Sequence, residues 1–487
     1  MKKFILPSVV LLSSLSGLLT ARSCFISNDN SLDRPVSDDC GECSPQVVCS
    51  PRSYIRPRSI TTDLTYRNAM TFYQRYTNAR EAILTYDTSF IFQKSRNGLT
   101  LGAGFFGKNP FTVAEQRGDI NSLNLGLVST QPEGFLSQVR VSPKRKVLAW
   151  LNQFIFNFDP LVDGLWADVA FAVVKAHHFI DLYEKVVTPG DFPGLRTVDD
   201  AFTQLGVFPT NLRSTAVDDL EIRVGYDYSQ CGANYLGAYI LGSQATGPRY
   251  DNTQLFQPLV GSRHSGIGAG VRALYTMPYD CTLMTELKYQ FKFHKAGPRI
   301  FDLINGPLSR FLLATTEANP YSAVSATTLL KQTVLVDVRS TIDWWLALHY
   351  QKYSWGFEGA YNLFWRQSEK IHCAPFTFRN AGIFDKTQCL NLTSDSNALI
   401  TDRFGEGTPD STFVRLTTQD VNVRSGGSRS ALSHTLSGTL TYEDALKGCY
   451  PWMIAFGARY EFASNSTKRR GSTLENWGVF LKTSVSL

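Results

Sequence analysis

From residue 82 onward, apolar and polar residues alternate with a period of two, the pattern of strands whose faces meet different surroundings. Leu220, Ile222, Val224, Tyr226 and Tyr228 alternate with Glu221, Arg223, Gly225 and Asp227. Leu287, Tyr289, Phe291 and Phe293 alternate with Glu286, Lys288, Gln290, Lys292 and His294. The theme recurs at Leu84, Tyr86, Phe90 and Phe92, and at Leu99, Leu101, Ala103 and Phe105. It returns at Trp355, Phe357, Tyr361, Leu363 and Trp365, and at Trp452, Ile454, Phe456, Ala458, Tyr460 and Phe462. Trp477, Val479, Leu481, Val485 and Leu487 close the series. Runs of about 9–11 residues are long enough to cross a bilayer at a tilt. They exceed the five or six residues usual in soluble strands.

About fourteen such strands are expected (12–16), beginning near residues 82, 98, 121, 146, 165, 219, 234, 266, 282, 342, 354, 432, 452 and 476. Short connections (157–165, 229–234, 276–282, 350–354, 443–452) alternate with long ones (174–219, 242–266, 293–342, 366–432). Short periplasmic turns and long external loops are the signature of an antiparallel transmembrane β-barrel. The 93–98 connection breaks the rule, because it should be external and is short. The segment 175–210 reads as two short helices in an external loop, with His177 and His178 on a solvated surface.

Nowhere after the N-terminus does an apolar run approach the length of a spanning helix, so a membrane location requires a closed barrel. The N-terminus itself reads as an export signal, with Lys2 and Lys3 ahead of the apolar stretch 4–19 and cleavage after Ala21 or Ser23. A retained anchor fits poorly, given Pro7 and the serines. A lipid-bearing Cys24 lacks the apolar residue expected three places upstream. The expected organisation is a signal peptide at 1–23, a Cys-rich periplasmic extension or plug at 24–80, and the barrel at 81–487. Loss of Lys2, Lys3 and Arg22 takes the net charge from +6 to +3, too mild to point to nucleic acid.

Nine cysteines in an exported chain imply an oxidising compartment. Cys24, Cys40, Cys43 and Cys49 precede the barrel, and Cys40, Cys43 and Cys49 are candidates for structural cross-links rather than metal or redox chemistry. Cys231, Cys281 and Cys449 fall in short turns. Cys373 and Cys389 share one long loop and could close a local disulfide, although connectivity is not readable from sequence.

If the alternation is a barrel wall, its polar face lines the interior. That face carries Asp87, Glu221, Asp227, Glu286, Asp343, Glu358 and Glu461 against Arg223, Arg272, Lys288, Lys292, Arg366, Arg459 and Lys482. Near-balanced charge on a wet wall suits passage of small polar solutes. Catalysis finds no constellation. His264 and Ser265 are adjacent on what reads as a strand and would point to opposite faces. Gly266, Gly268 and Gly270 lack the strand–turn–helix context of a dinucleotide loop and instead mark a thin wall where a side chain packs close. No cofactor, metal or enzymatic activity is expected.

Scattered segments resemble the porin-like outer-membrane proteins of Chlamydia-related and other intracellular Gram-negative bacteria. They are LGAGFFGK, VSPKRKVLAW, GLWADVAFAV, VGSRHSGIGAG, GPRIFDL with PLSRFLL, SRSALSHTLSGTLTY and NWGVFLKTSVSL. The resemblance implies a monomeric or trimeric pore with cysteines cross-linked in the envelope. The chain departs from the usual pattern in ending on Leu487 rather than Phe. The expectation is a porin-like channel in the bacterial outer membrane for passive diffusion of small polar solutes or ions. Its partners would be membrane lipid and solutes, with homo-oligomers or disulfide-linked envelope proteins as further candidates. The alternatives are a plugged transporter of hydrophobic compounds, with slight apolar evidence at Trp166, Ala170 and Ala172, and a cross-linked structural protein or adhesin.

Overall fold

In the computed structural model the described residues are 51–71, 82–115, 118–204, 212–230, 234–248, 255–304, 308–316, 319–372, 381–383, 418–446, 450–464 and 473–487. Twelve antiparallel strands, each beside its sequence neighbour, form the wall. They are β1 (Leu84–Ser95), β2 (Leu136–Asn157), β3 (Leu165–Thr188), β4 (Leu220–Gln230), β5 (Asn234–Gln244) and β6 (Gly266–Met277). The second half comprises β7 (Cys281–Lys292), β8 (Arg339–Lys352), β9 (Trp355–Arg366), β10 (Ala431–Leu446), β11 (Tyr450–Ala463) and β12 (Asn476–Ser486). The sheet closes where β12 pairs with β1, from Thr85 opposite Ser486 to Ser95 opposite Asn476. Closure leaves no open edge and satisfies the backbone within the wall.

The alternation sorts the side chains as the sequence implies. Ile222, Val224, Leu236, Ile240, Ile267, Val271, Leu287, Leu440, Phe456 and Leu481 are exposed on the outside. A belt this apolar and continuous is a lipid-facing surface, not one made for water. Aromatics crowd its margins: Tyr279, Tyr353 and Trp355 near the short turns, and Phe293, Tyr460 and Trp477 near the long loops. Among the described residues no helix is long and apolar enough to cross a membrane. The chain is an outer-membrane β-barrel.

Two expected strands are not in the barrel. Residues near 98 form helix α2 (Gly98–Phe106), and residues near 121 form only a two-residue bridge followed by a 3-10 turn. Leu101 and Phe105, four apart, lie on one buried helix face together with Phe106. Over so short a window Leu101 and Phe105 also fit a period of two. With these strands gone, 96–135 becomes a long connection and the 93–98 anomaly disappears. Residues 175–188 prolong β3 rather than starting a loop, and one helix, α3 (Val198–Gln204), replaces the two expected. His178 is correspondingly buried, its ring against Phe256 at 4.4 Å and hydrogen-bonded to the Phe256 carbonyl at 3.0 Å. Cys281 begins β7, half-buried and unbonded, while the other eight cysteines, including Cys40, Cys43, Cys49, Cys373 and Cys389, lie outside the described residues.

The long connections fold together at one end. One apolar cluster joins α2, Phe111, Val139, Phe202, Phe256 and Phe311, and a second joins Phe301, Leu312, Val334, Val336 and Val421.

On the inner wall, Gly225 and Gly270 make room for rings. A Cβ on Gly225 would lie 2.3 Å from the Trp166 ring, and one on Gly270 would lie 2.3 Å from Tyr239. Trp166 cannot retreat, because the Arg272 guanidinium lies over it at 3.8 Å and Tyr239 flanks it at 5.8 Å. Gly225→Val is therefore expected to destabilise the barrel by about 1–3 kcal/mol through overpacking. The check is a lowered urea midpoint for loss of the compact, heat-modifiable gel form.

Candidate functional site

The interior is occupied by the chain itself. Residues 51–71 enter beside the long loops, where the Arg52 amide donates to Gly104 O and the Ser53 amide to Ser425 O, each at 2.9 Å. They end near the short turns, where Thr71 Oγ1 donates to Asp87 of β1 at 2.5 Å. Between these points the segment bonds to inward side chains of β1, β3, β4, β7, β8, β9, β11 and β12. Only a segment inside the barrel can reach eight of twelve strands.

Local chemistry shapes the segment as helix α1 (Leu64–Asn68). Asp63 caps it, accepting from the Thr65 amide at 3.0 Å. The helix is stopped by Met70, which has a φ of 61°. A left-handed conformation costs a non-glycine residue roughly 1–2 kcal/mol. Here the Met70 amide donates to Glu358 of β9 at 3.1 Å, and its buried side chain packs on Met453 and Ala455.

Two ion-pair clusters hold the segment at mid-height. In the first, the Arg67 guanidinium donates to Asp168 of β3 and Glu221 of β4, each at 2.5 Å. Arg223 continues the network to Glu221 at 2.8 Å and Glu286 at 3.0 Å, and Lys288 lies 3.6 Å from Glu221. In the second, Asp63 accepts from Arg459 of β11 at 2.5 Å, and Arg58 bridges Asp63 at 3.1 Å to Asp343 of β8 at 2.6 Å. Arg459 also reaches Glu461 at 2.7 Å. Lys482 Nζ donates to the carbonyls of Tyr66 and Arg67 at 3.2 and 3.0 Å. Buried ion pairs are tolerated only where geometry and extra hydrogen bonds offset lost hydration. These groups meet that condition by sharing partners.

The fourteen charged residues expected to line the interior, Asp87, Glu221, Arg223, Asp227, Arg272, Glu286, Lys288, Lys292, Asp343, Glu358, Arg366, Arg459, Glu461 and Lys482, are all buried. None is more than 8% exposed. They meet protein rather than open water. Asp227 pairs with Arg272 at 2.5 Å, Lys292 lies 3.6 Å from Asp219, and Arg366 donates to Arg56 O at 2.7 Å. Sequence reasoning missed their complement: Arg56, Arg58, Asp63 and Arg67 on the inner segment, and Asp168 on the wall. The available signal was the density of arginines in PRSYIRPRS and TYRN, ahead of a wall rich in carboxylates.

A third cluster sits above the wall. Glu369 pairs with Arg56 at 2.6 Å and Arg299 at 3.4 Å and accepts from the Ser428 amide at 3.1 Å. Burial works to raise this carboxylate, but Arg56 and Arg299 outweigh it and hold it down at about 2. His264 is in the same cluster, 3.3 Å from Arg56, and burial followed by that guanidinium pushes its ring down to about 3. Its Nδ1 faces Phe293 O at 2.9 Å, whereas Ser265 Oγ donates to Gln244 at 3.2 Å. The two side chains therefore have separate partners, and no nucleophile–base pair forms. Trp166, Ala170 and Ala172 are buried as well, and the Arg272 guanidinium over the Trp166 ring is paired with Asp227, so an ion pair covers that corner.

No family model and no curated protein sequence matches the chain. Among solved structures, an outer membrane channel from Pseudomonas putida F1 is similar at 9% identity and a TM-score of 0.39, the match covering 83% of this chain and 96% of that one. The Pseudomonas putida toluene transporter TodX matches at 8% identity over 90% and 98% of the two chains, with a TM-score of 0.32. The translocator domain of autotransporter NalP from Neisseria meningitidis matches at 8% identity over 87% and 97%, with a TM-score of 0.27. At these scores the likeness adds nothing to the geometry above.

Two outcomes follow from the clusters. Among the described residues, Arg67→Ala leaves Asp168 with the Gln153 amide as its side-chain donor, at 3.0 Å. Removing one partner of a buried pair costs about 3–5 kcal/mol, so the urea midpoint should fall sharply while the fold of the wall persists. The second concerns acid. The Glu369 pKa is depressed on folding, so its contribution is present above its unfolded value of about 4.3 and lost as pH falls toward about 2. Stability measured across that window should decline in the native chain, and Glu369→Gln should remove that part of the decline.

Proposed function

We propose that the protein is an outer-membrane channel for small polar solutes, held shut by its own residues 51–71. The observation that carries this reading is the ion-paired filling of the interior, Arg67 on Asp168 and Glu221 above all. With that segment in place the interior charges are paired within the protein, and passive diffusion requires the segment to shift or leave. The wall beneath it is polar and of mixed charge, which suits hydrated solutes and ions. A plugged transporter of hydrophobic compounds fits the same closed interior, although the Arg272–Asp227 ion pair covers the Trp166 ring.

Planar-bilayer conductance of the refolded chain tests the proposal, with heat-modifiable migration as the folding control. The native chain should be silent for most of the recording. Arg67→Ala, and separately deletion of residues 51–71, should produce discrete ohmic openings. A weakening of closure by 1.4 kcal/mol raises the open fraction about tenfold. Folded variants as silent as the native chain would overturn the gated-channel reading.

A further inference from the structure

On the outer wall, at the long-loop margin of the apolar belt, strand register lines up three cations and one histidine from four adjacent strands. Lys94 of β1 stands opposite Lys146 of β2, Lys146 opposite His177 of β3, and His177 opposite Arg213 in the short strand Leu212–Val217 that prolongs the wall beside β3. Lys175 lies one outward position nearer the belt, opposite Leu148, and Lys144 one position farther from it, opposite Phe179. Like charges placed directly opposite each other in a sheet destabilise it. Lys144 is paired with the carboxylate of Asp181. Lys94, Lys146, Lys175 and Arg213 have no carboxylate partner among the described residues, and Lys175 and Arg213 are exposed.

The height of the row identifies what could neutralise it. From Asn157 to Lys146, β2 runs about 36 Å at ~3.3 Å per residue, or about 27 Å along the membrane normal at a tilt near 40°. The apolar band of such barrels is about 25 Å tall, so the row stands at headgroup level. Just below it, at acyl-chain level, Phe90 stacks on Trp150 at 6.2 Å and Phe92 meets Trp477 at 5.5 Å. The ammonium groups of Lys144 and Lys146 both lie over the Phe179 ring, at 5.9 and 5.2 Å from its centre.

We propose that this row binds the phosphate of an anionic lipid headgroup in the leaflet on the long-loop side. Phosphate oxygens accept charge-assisted hydrogen bonds from ammonium and guanidinium groups, and one phosphomonoester offsets the repulsion between Lys94 and Lys146 across β1 and β2.

The full chain refolded in phosphatidylcholine vesicles, with or without a minor fraction of phosphatidic acid, tests the proposal. Phosphatidic acid should raise the heat midpoint of the gel shift in the native chain, and far less in a Lys146→Gln, Arg213→Gln double variant. An equal rise in both chains, or no rise, would overturn the site. So would an equal rise with inorganic phosphate alone, which would make it a site for soluble anions. A second readout does not depend on stability. Quenching by acyl-brominated phosphatidic acid, measured as the component lost in Trp150→Phe, should exceed that by brominated phosphatidylcholine about fivefold or more. Equal quenching by the two lipids would count against local enrichment.

Discussion

The pairing of Arg67 with Asp168 and Glu221 is the contact on which the rest of the interior depends. A barrel in lipid must turn its polar residues inward, and twelve strands bring rows of carboxylates and cations into a narrow space. Once that space is filled with protein, each charge has lost most of its water and needs a partner at hydrogen-bond distance. The wall alone does not complete the pairing. Asp168 and Asp343 each take a guanidinium from the inner segment, and Arg459 takes a carboxylate from Asp63. Segment and wall are therefore a single electrostatic unit, and neither is satisfied without the other.

This mutual dependence shows why the wall was legible and the segment was not. Period-two alternation is a local signal, so Leu220–Tyr228 and Leu287–Phe293 display their two faces within one strand. The inward placement of Glu221, Arg223, Glu286 and Lys288 follows from it. Residues 51–71 carry no such period. Their conformation comes from distant partners such as Ser425, Asp343 and Arg459, several hundred positions later in the chain. Complementary charge was visible in composition, but which arginine meets which carboxylate depends on closure of the barrel, a property of no single window. The misplaced strands near 98 and 121 fail for the opposite reason. Leu101 and Phe105 satisfy the local rule for a strand and a helix equally, and packing of the adjacent Phe106 against Phe111 and Phe311 decides for the helix.

The long loops add a second layer of restraint. Their apolar clusters tie α2, α3 and the segment around Phe256 into one body over the end where residues 51–57 enter. Arg56 links that body to the inner segment through Glu369 and the Ser262 carbonyl. A shift of residues 58–71 alone can therefore leave Arg56 in place, whereas full withdrawal must also break the Glu369 cluster. Acid and mutation thus probe different steps. Protonating Glu369 weakens the anchorage among the loops, and Arg67→Ala weakens the hold inside the wall.

The same chain treats its cations in two opposite ways, and the difference locates the membrane. Inside, Arg58, Arg67, Arg223 and Arg459 each have a carboxylate supplied by the protein, because nothing else can reach them. Outside, Lys94, Lys146 and Arg213 stand in a row where the chain supplies no such partner among the described residues, although placing an acidic residue at Thr215 or Ser142 would need only one substitution. An unpaired row of this kind at an ordinary surface would be solvated and of no consequence. At the upper margin of a lipid-facing belt the adjoining phase carries phosphates at that height, so the missing carboxylates have a substitute that is not part of the polypeptide. The inner guanidiniums draw their carboxylates from the chain, whereas the outer row, under the proposal above, draws its anion from the membrane.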